Sequence, residues 1–394
     1  MNPRCRSGLE VLLSKDAARL RGRKVGLVVN PTSVDANYNH SIDRLMACSG
    51  VEIVRLFGPE HGIRGDAQDM IAVRDAVDPR SGLPVVSLYG VHEDSLRPSK
   101  AQLEGLDCLV FDIQDIGSRY YTYVDTLAYC LEAAAEAGVS VIVLDRPNPL
   151  GGLQVEGAPL DMAYRSFVGR YPLPQRHGMT AGELAPFFVD PDKLDVDLEV
   201  IGCEGWTRGQ YFWETGLPWV SPSPNMPTVE VAITYPGMCL LEGTNLSEGR
   251  GTTRPFLWMG APWIPPYDLA EALAKEDIQG VHWRAHSFRP TFHKHAQHVC
   301  GGAEPHVVDP KRYHALKAGL AYILHCHRLS EDFGWRQEPY EYISDRLAID
   351  LLAGGPQFRE GIEAGASLED LCAPWKAAEA LFLEARQPFL LYGD

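Results

Sequence analysis

Short, unbroken apolar runs recur through the first half of the chain, each cut off by a polar or glycine-proline position. They fall at residues 24–30, 51–57, 83–89, 106–113, 139–144 and 198–203. Runs of this length, bounded by turn residues, predict strands buried on both faces. Segments of helical spacing lie between them, at 8–20, 40–48 and 122–137, the last stopped by Gly138. Thr180 followed by Glu183 is a capping box that opens a further helix to about residue 189. Strands alternating with helices predict an α/β protein with a Rossmann-like, mostly parallel, doubly wound sheet. Residues 204–261 are rich in Gly, Pro, Trp and polar groups and show little periodicity. So long an irregular run in a compact protein points to a functional segment. Beyond it, helices at 268–274, 313–326 and 344–354 and a strand at 281–289 predict a smaller α/β domain. The expected division is 1–261 and 262–394.

The polar residues that follow each strand matter most, because open parallel sheets bind ligands beyond the carboxyl ends of their strands. The first strand is followed by Asn30 and the second by Glu60, His61 and Arg64 on a glycine-bracketed loop. The fourth leads to Asp112, Gln114, Asp115, Arg119 and Tyr121, and the fifth to Asp145, Arg146 and Asn148. Such a rim suits a polar ligand with many hydroxyls. The irregular segment adds Asn225 in a proline-locked loop, then Glu242, Thr244, Asn245, Glu248, Arg250 and Arg254 among glycines. Carboxylates with no thiol nucleophile point to hydrolysis or transfer by acid–base chemistry. Glu60 is the preferred proton donor to a leaving oxygen, with His61 beside it to orient it or share its role. His177, just before the capped helix, is a supporting candidate. The expectation is that Glu60 projects into a groove of sugar size.

Charge and composition narrow the alternatives. The 394 residues carry a formal net charge of -16, which argues against a nucleic-acid or anionic-membrane surface. No apolar stretch approaches the roughly 20 residues of a membrane-spanning helix. The nine cysteines include no C-x-x-C pair and read as buried thiols in a reducing compartment. No signal-peptide core is visible, so the chain as written is expected to be cytoplasmic, or exported if the sequence is trimmed. Glycine-rich phosphate loops and the G-x-S-x-G elbow are absent from the sequence. His293, His295 and His298, with His282, His286 and His306 nearby, fit no tight zinc spacing. No metal or cofactor is implied, and the oligomeric state is open.

Seven ordered segments resemble the exo-β-N-acetylmuramidase family, glycoside hydrolase family 171, formerly a family of unknown function. They are G-P-E-H-G-I-R-G (58–65), L-V-F-D-I-Q-D-I-G-S-R-Y-Y-T-Y (109–123), L-D-R-P-N-P-L-G-G (144–152), V-E-G-A-P-L (155–160), H-G-M-T-A-G-E-L (177–184), T-G-L-P-W-V-S-P-S-P-N-M-P (215–227) and E-G-T-N-L-S-E-G-R-G-T-T-R-P-F (242–256). The resemblance implies a Rossmann-like domain, a smaller second domain and a cleft between them. It implies release of N-acetylmuramic acid (MurNAc) from the non-reducing end of peptidoglycan fragments such as MurNAc linked to N-acetylglucosamine (GlcNAc). The family's proposed catalytic glutamate falls on Glu60. The lactyl carboxylate of MurNAc is expected to pair with one or more of Arg64, Arg119, Arg250 and Arg254. Asp112 or Asp115 would steady the acetamido group in a substrate-assisted route. Asp66 and Asp69 stand where relatives carry an Asp-Ala-Gly-Glu-like stretch, so Asp69 is the expected stand-in for its glutamate. The competing reading is a non-catalytic, two-lobed carbohydrate receptor, which gives Glu60 no special task. An amidase acting on the stem peptide lacks a visible metal site or nucleophile.

Overall fold

In the computed structural model, which describes residues 4–15, 17–65, 76–189 and 194–394, the apolar runs form strands β1 (Lys24–Val29), β2 (Glu52–Gly58), β4 (Pro84–Ser87), β5 (Cys108–Asp112), β6 (Ser140–Leu144) and β7 (Leu198–Ile201). A two-residue strand, β3 (Ala76–Val77), joins them at one edge. One sheet results, in the order β3-β4-β2-β1-β5-β6-β7. All neighbours are parallel except the β3–β4 pair. The chain works outward from β1 through β2 to β4, then returns to β5 and works outward the other way. That reversal makes the sheet doubly wound, with its switch point between β1 and β5, where Val29 lies opposite Asp112.

Successive side chains point to opposite faces of a strand, and both faces are covered here. Leu27 and Val29 pack with Leu9 and Leu12 of α1 (Gly8–Ser14) and Ile42 and Leu45 of α2 (Ser41–Met46). Val28, Leu109 and Phe111 face the other way. They join the core containing Leu103 of α3 (Lys100–Leu103), Leu127 of α4 (Tyr123–Ala137) and Leu184 of α5 (Ala181–Phe188). Helix α5 opens on the expected capping box. The Glu183 N–H donates to Thr180 Oγ1 at 3.2 Å, and the Thr180 N–H donates to Glu183 Oε2 at 3.0 Å.

The second half holds more regular structure than its pattern shows. Helix α6 (Val229–Met238) lies inside the segment read as irregular. Residues 231–238 are all buried, so there is no polar face to give a helical period, and Pro236 and Gly237 disguise it further. Helix α7 (Pro266–Ala274) packs on an antiparallel hairpin of β8 (Val281–Phe288) and β9 (Cys300–Val307). β9 escapes a pattern reading because Gly301, Gly302 and Pro305 look like breakers. His293, His295 and His298 lie in the connection between these strands. Helix α8 (Ala315–Leu329) follows, then the short helices α9 (Ala348–Ala353), α10 (Gln357–Glu363), α11 (Leu368–Cys372) and α12 (Trp375–Ala385). α6 and α8 cross glycine on glycine. A Cβ on Gly237 would sit 1.9 Å from the Ala315 carbonyl oxygen, and one on Gly319 2.1 Å from that of Gly237. The chain end returns to the sheet, where Tyr392 donates to Asp145 at 2.5 Å beyond β6. No helix among the described residues is long and apolar enough to cross a membrane.

Candidate active site

β2 ends at Gly58, whose carbonyl accepts from the Leu88 N–H at 2.8 Å. Pro59 then starts a turn closed by the Gly62 N–H on the Pro59 carbonyl at 2.9 Å. His61 sits in the left-handed region of that turn, at φ 68°. A non-glycine residue there costs about 1–2 kcal/mol, and such strain persists only where the surroundings enforce it. The turn carries Glu60 and His61 inward, and each is only 7% exposed. Thr122 meets them from the start of α4. It occupies the N-cap position but makes no side-chain capping bond. Its hydroxyl donates instead to Glu60 Oε2 at 2.9 Å.

Glu60 and His61 line a cavity shared with Tyr120, Tyr121 and Tyr123 of the β5–α4 connection. The proline-locked loop contributes Ser223, Asn225 and Met226, and α6 contributes Tyr235. Tyr121 stands edge-on to Tyr123 (5.1 Å, 79°) and to Tyr235 (5.6 Å, 90°). The far wall is Glu242, Arg250, Phe256, Tyr340 and Glu341. Arg250 donates to Glu242 Oε1 at 2.6 Å, and the Tyr340 hydroxyl donates to Glu242 Oε2 at 2.6 Å. Behind Arg250, the fully buried Glu248 lies 3.2 Å from the Arg250 Nε, 3.1 Å from the Lys294 Nζ and 3.2 Å from His293. Burial opposes its charge, but Lys294, His293 and Arg250 together hold the Glu248 carboxyl far below the ordinary carboxylate range. Tyr89 sits behind the cavity. Burial, and then the charges of Glu60 and Glu341, push its phenol well above the usual value. The cavity measures about 40 Å³, below the range of small-molecule sites. That is less room than a sugar ring needs, and not the sugar-sized groove expected.

Six expected residues thus meet in one place: Glu60, His61, Tyr121, Asn225, Glu242 and Arg250. The others do not line this cavity, and each has a physical reason. Asp112 is fully buried and paired with the Arg146 Nε at 2.7 Å. Asp115 accepts from the Gly117 N–H at 2.6 Å and lies 3.6 Å from the His177 Nε2. His177 accepts from the Met179 N–H at 3.2 Å on Nδ1, which places its proton on Nε2, facing Asp115. Asn30 folds back on Thr32, and Gln114 donates to the Asp115 and Pro147 carbonyls. Arg64 is exposed and pairs with Asp78. Arg119 is buried, bonded to the Leu173 and Leu352 carbonyls, and burial draws its guanidinium down to about 10. Thr244 bonds its own turn at the Leu241 carbonyl, and Asn245 clamps the 332–334 loop. Arg254 pairs with Glu230 and Glu304. Asp66 and Asp69 lie outside the described residues.

The sequence reading missed Thr122, Ser223, Tyr340 and Glu341. Glu341 is 7% exposed and accepts from the Tyr89 hydroxyl at 3.1 Å. Its segment, E-P-Y-E-Y-I-S-D, has no glycine bracket and no strand before it, so nothing in the pattern marks it. The one available signal was a tyrosine on either side of the glutamate.

A buried carboxylate on a strand-end loop, sharing a cavity with two further carboxylates, an arginine and a phenol from residues 242–341, fits a hydrolase of α/β architecture. The chain belongs to the exo-β-N-acetylmuramidase family. The sequence profile of the N-terminal part of exo-beta-N-acetylmuramidase NamZ matches residues 25–230, and that of the C-terminal part matches residues 233–392. Peptidoglycan beta-N-acetylmuramidase NamZ of Bacillus subtilis (strain 168) is 43% identical over 390 residues, covering 99% of this chain and 92% of its own. Two crystal structures of DUF1343 family proteins from Bacteroides fragilis share the fold. One has a TM-score of 0.90 at 34% identity and 99% coverage of both chains, the other 0.77 at 30% identity and 100% coverage of both.

Proposed function

We propose that the protein is an exo-acting β-N-acetylmuramidase that releases MurNAc from the non-reducing end of peptidoglycan fragments, with Glu60 as proton donor. The observation that carries this reading is the buried Glu60 carboxyl in the shared cavity, held by the Thr122 hydroxyl on the loop that matches the family motif. Its proton passes to the bridging oxygen as the bond to the anomeric carbon breaks. Of the four arginines considered for the lactyl carboxylate, Arg250 is the one that reaches the cavity, so it takes that role. Because the cavity is smaller than a sugar ring needs, its walls must part to admit one.

The test is hydrolysis of MurNAc-GlcNAc by the intact protein and by Glu60→Gln. The wild type should release free MurNAc. The variant should bind the disaccharide but turn it over about 10²–10⁴-fold more slowly. A wild type that binds without cleaving would favour the receptor reading. An unchanged rate in the variant would remove Glu60 from the mechanism.

A further inference from the structure

We propose that Glu341 is the second catalytic carboxylate of this site, set on the side of the anomeric carbon opposite Glu60. The inference rests on the reading above, that Glu60 protonates the bridging oxygen. Hydrolysis of a glycosidic bond needs two groups: one gives a proton to the leaving oxygen, and the other serves the electron-poor carbon. The sheet domain supplies the first, and the second domain supplies a candidate for the other in the same cavity.

The backbone around Glu341 supports a selected role. Residues 340–343 form a two-residue hairpin turn, closed by reciprocal 2.9 Å hydrogen bonds between Tyr340 and Ile343. Its central residues, Glu341 and Tyr342, both lie in the left-handed region, at φ 45° and 70°. Such turns strongly prefer Asn-Gly at these positions. A glutamate followed by a tyrosine is held there against local preference, and strain of that kind gathers at functional sites. Packing fixes it. The Tyr342 hydroxyl donates to the Gly90 carbonyl at 3.0 Å, the Tyr342 ring stands edge-on to Tyr89 at 6.0 Å, and Tyr89 donates to Glu341. The third carboxylate, Glu242, has its two oxygens on Arg250 and Tyr340, which suits it to holding the wall.

The step balances without any further reagent. Glu60 gives its proton to the bridging oxygen, and the electron pair of the broken bond leaves with that oxygen as an alcohol. A water oxygen on the Glu341 side supplies a new pair to the anomeric carbon, and Glu341 accepts the water's proton. Exchange with solvent then returns the proton to Glu60.

The experiment uses an aryl β-MurNAc with a leaving group that needs no proton, with and without sodium azide. Glu341→Gly relieves the left-handed backbone but removes the acceptor of the Tyr89 hydroxyl, so the variant's melting temperature should stay within a few degrees of the wild type. Its turnover should still fall about 10²–10⁴-fold. Azide should restore turnover and yield the α-glycosyl azide. Glu341→Gln, which keeps the side-chain size, should be equally slow. Glu60→Ala should lose little on this substrate and most of its rate on MurNAc-GlcNAc. Turnover of Glu341→Gly within a few-fold of wild type, or a loss that azide fails to restore in the folded variant, overturns the role of Glu341. Full activity of the Glu60 variants on the disaccharide overturns the underlying reading instead.

Discussion

At the β1–β5 switch point, the usual ligand crevice of a doubly wound sheet, Asn30, Asp112, Gln114 and Arg146 bond one another or nearby backbone. Phe212, Leu217 and Trp219 lie over them and leave about 10 Å³ of room. One strand away, beyond β2, the polar groups instead face a cavity about four times that size, walled by two domains. The two rims have similar composition and opposite character. A buried polar group that is packed away from open space is scaffold, however chemical its side chain. A site is a place where such groups converge on space. The fold therefore keeps the Rossmann-like frame and opens its candidate site to one side of the customary crevice.

The sharpest break of that contrast would be Asp112→Ala. It leaves the Arg146 guanidinium buried without its counter-charge, and removing one partner of a buried pair costs about 3–5 kcal/mol. The urea midpoint should fall accordingly, and replacing Arg146 by Met in the same chain should recover part of the loss. The folded fraction should keep its Michaelis constant. A variant that stays stable but loses turnover would make the crevice part of the active site after all.

The same contrast sets how far the sequence could be read. Apolar runs bounded by turns mark strands whatever surrounds them, so the parallel sheet, its helices and the Thr180 capping box were legible. Glu60 was legible because a strand, a Gly-Pro break and glycine brackets framed it. Asp112 and Glu60 look alike in sequence, since each ends a buried strand. What separates them is a partner far along the chain, Arg146 in one case and the Thr122 hydroxyl in the other. Helix α6 was hidden because burial on all sides erases periodicity. Glu341 was hidden because its position comes from a tertiary contact with Tyr89, more than 250 residues away.

Arg250→Lys sharpens the comparison from the cavity side. The lysine keeps the charge near Glu242 and Glu248 but loses the planar fork. A charge-assisted contact to the lactyl group is worth about 1.5–3 kcal/mol. Catalytic efficiency on an aryl MurNAc should fall by about 10-fold or more, and that on the matching aryl GlcNAc, which lacks the lactyl group, should change much less. Equal losses on both would reduce Arg250 to a wall-holding residue. Thr122→Val should have a smaller effect, about 1 kcal/mol, or roughly 5-fold in catalytic efficiency, for the one hydrogen bond to Glu60. Because this hydroxyl does no capping, the melting temperature should hardly move.

The smallest expected effect lies away from both rims and separates stability from turnover. His314 Nδ1 lies 3.0 Å from Glu156 Oε2, and the ring stacks on Trp375 at 5.7 Å. The Lys317 N–H is a second neighbour of Nδ1 at 3.2 Å, but the shorter carboxylate contact favours a proton on that nitrogen. Burial works against the charged ring, yet Glu156 and Glu379 raise it from 6.5 to about 9. Burial likewise opposes the Glu156 charge, while His314 and Arg176 lower its carboxyl from 4.5 to about 2. The histidine's contribution is complete below pH 6.5 and is lost as pH rises through about 9. The glutamate's is complete above pH 4.5 and is lost as pH falls through about 2. Stability from this pair should therefore be flat from pH 4.5 to 6.5 and decline on either side. The His314 side chain is 34% exposed, so solvent screening limits the alkaline loss to about 1 kcal/mol. Urea midpoints measured from pH 6 to 10 should show that decline in the wild type and not in His314→Gln, with turnover per folded molecule equal in the two at every pH. A turnover profile that moved with the substitution would couple this remote pair to the cavity and undo the separation drawn here.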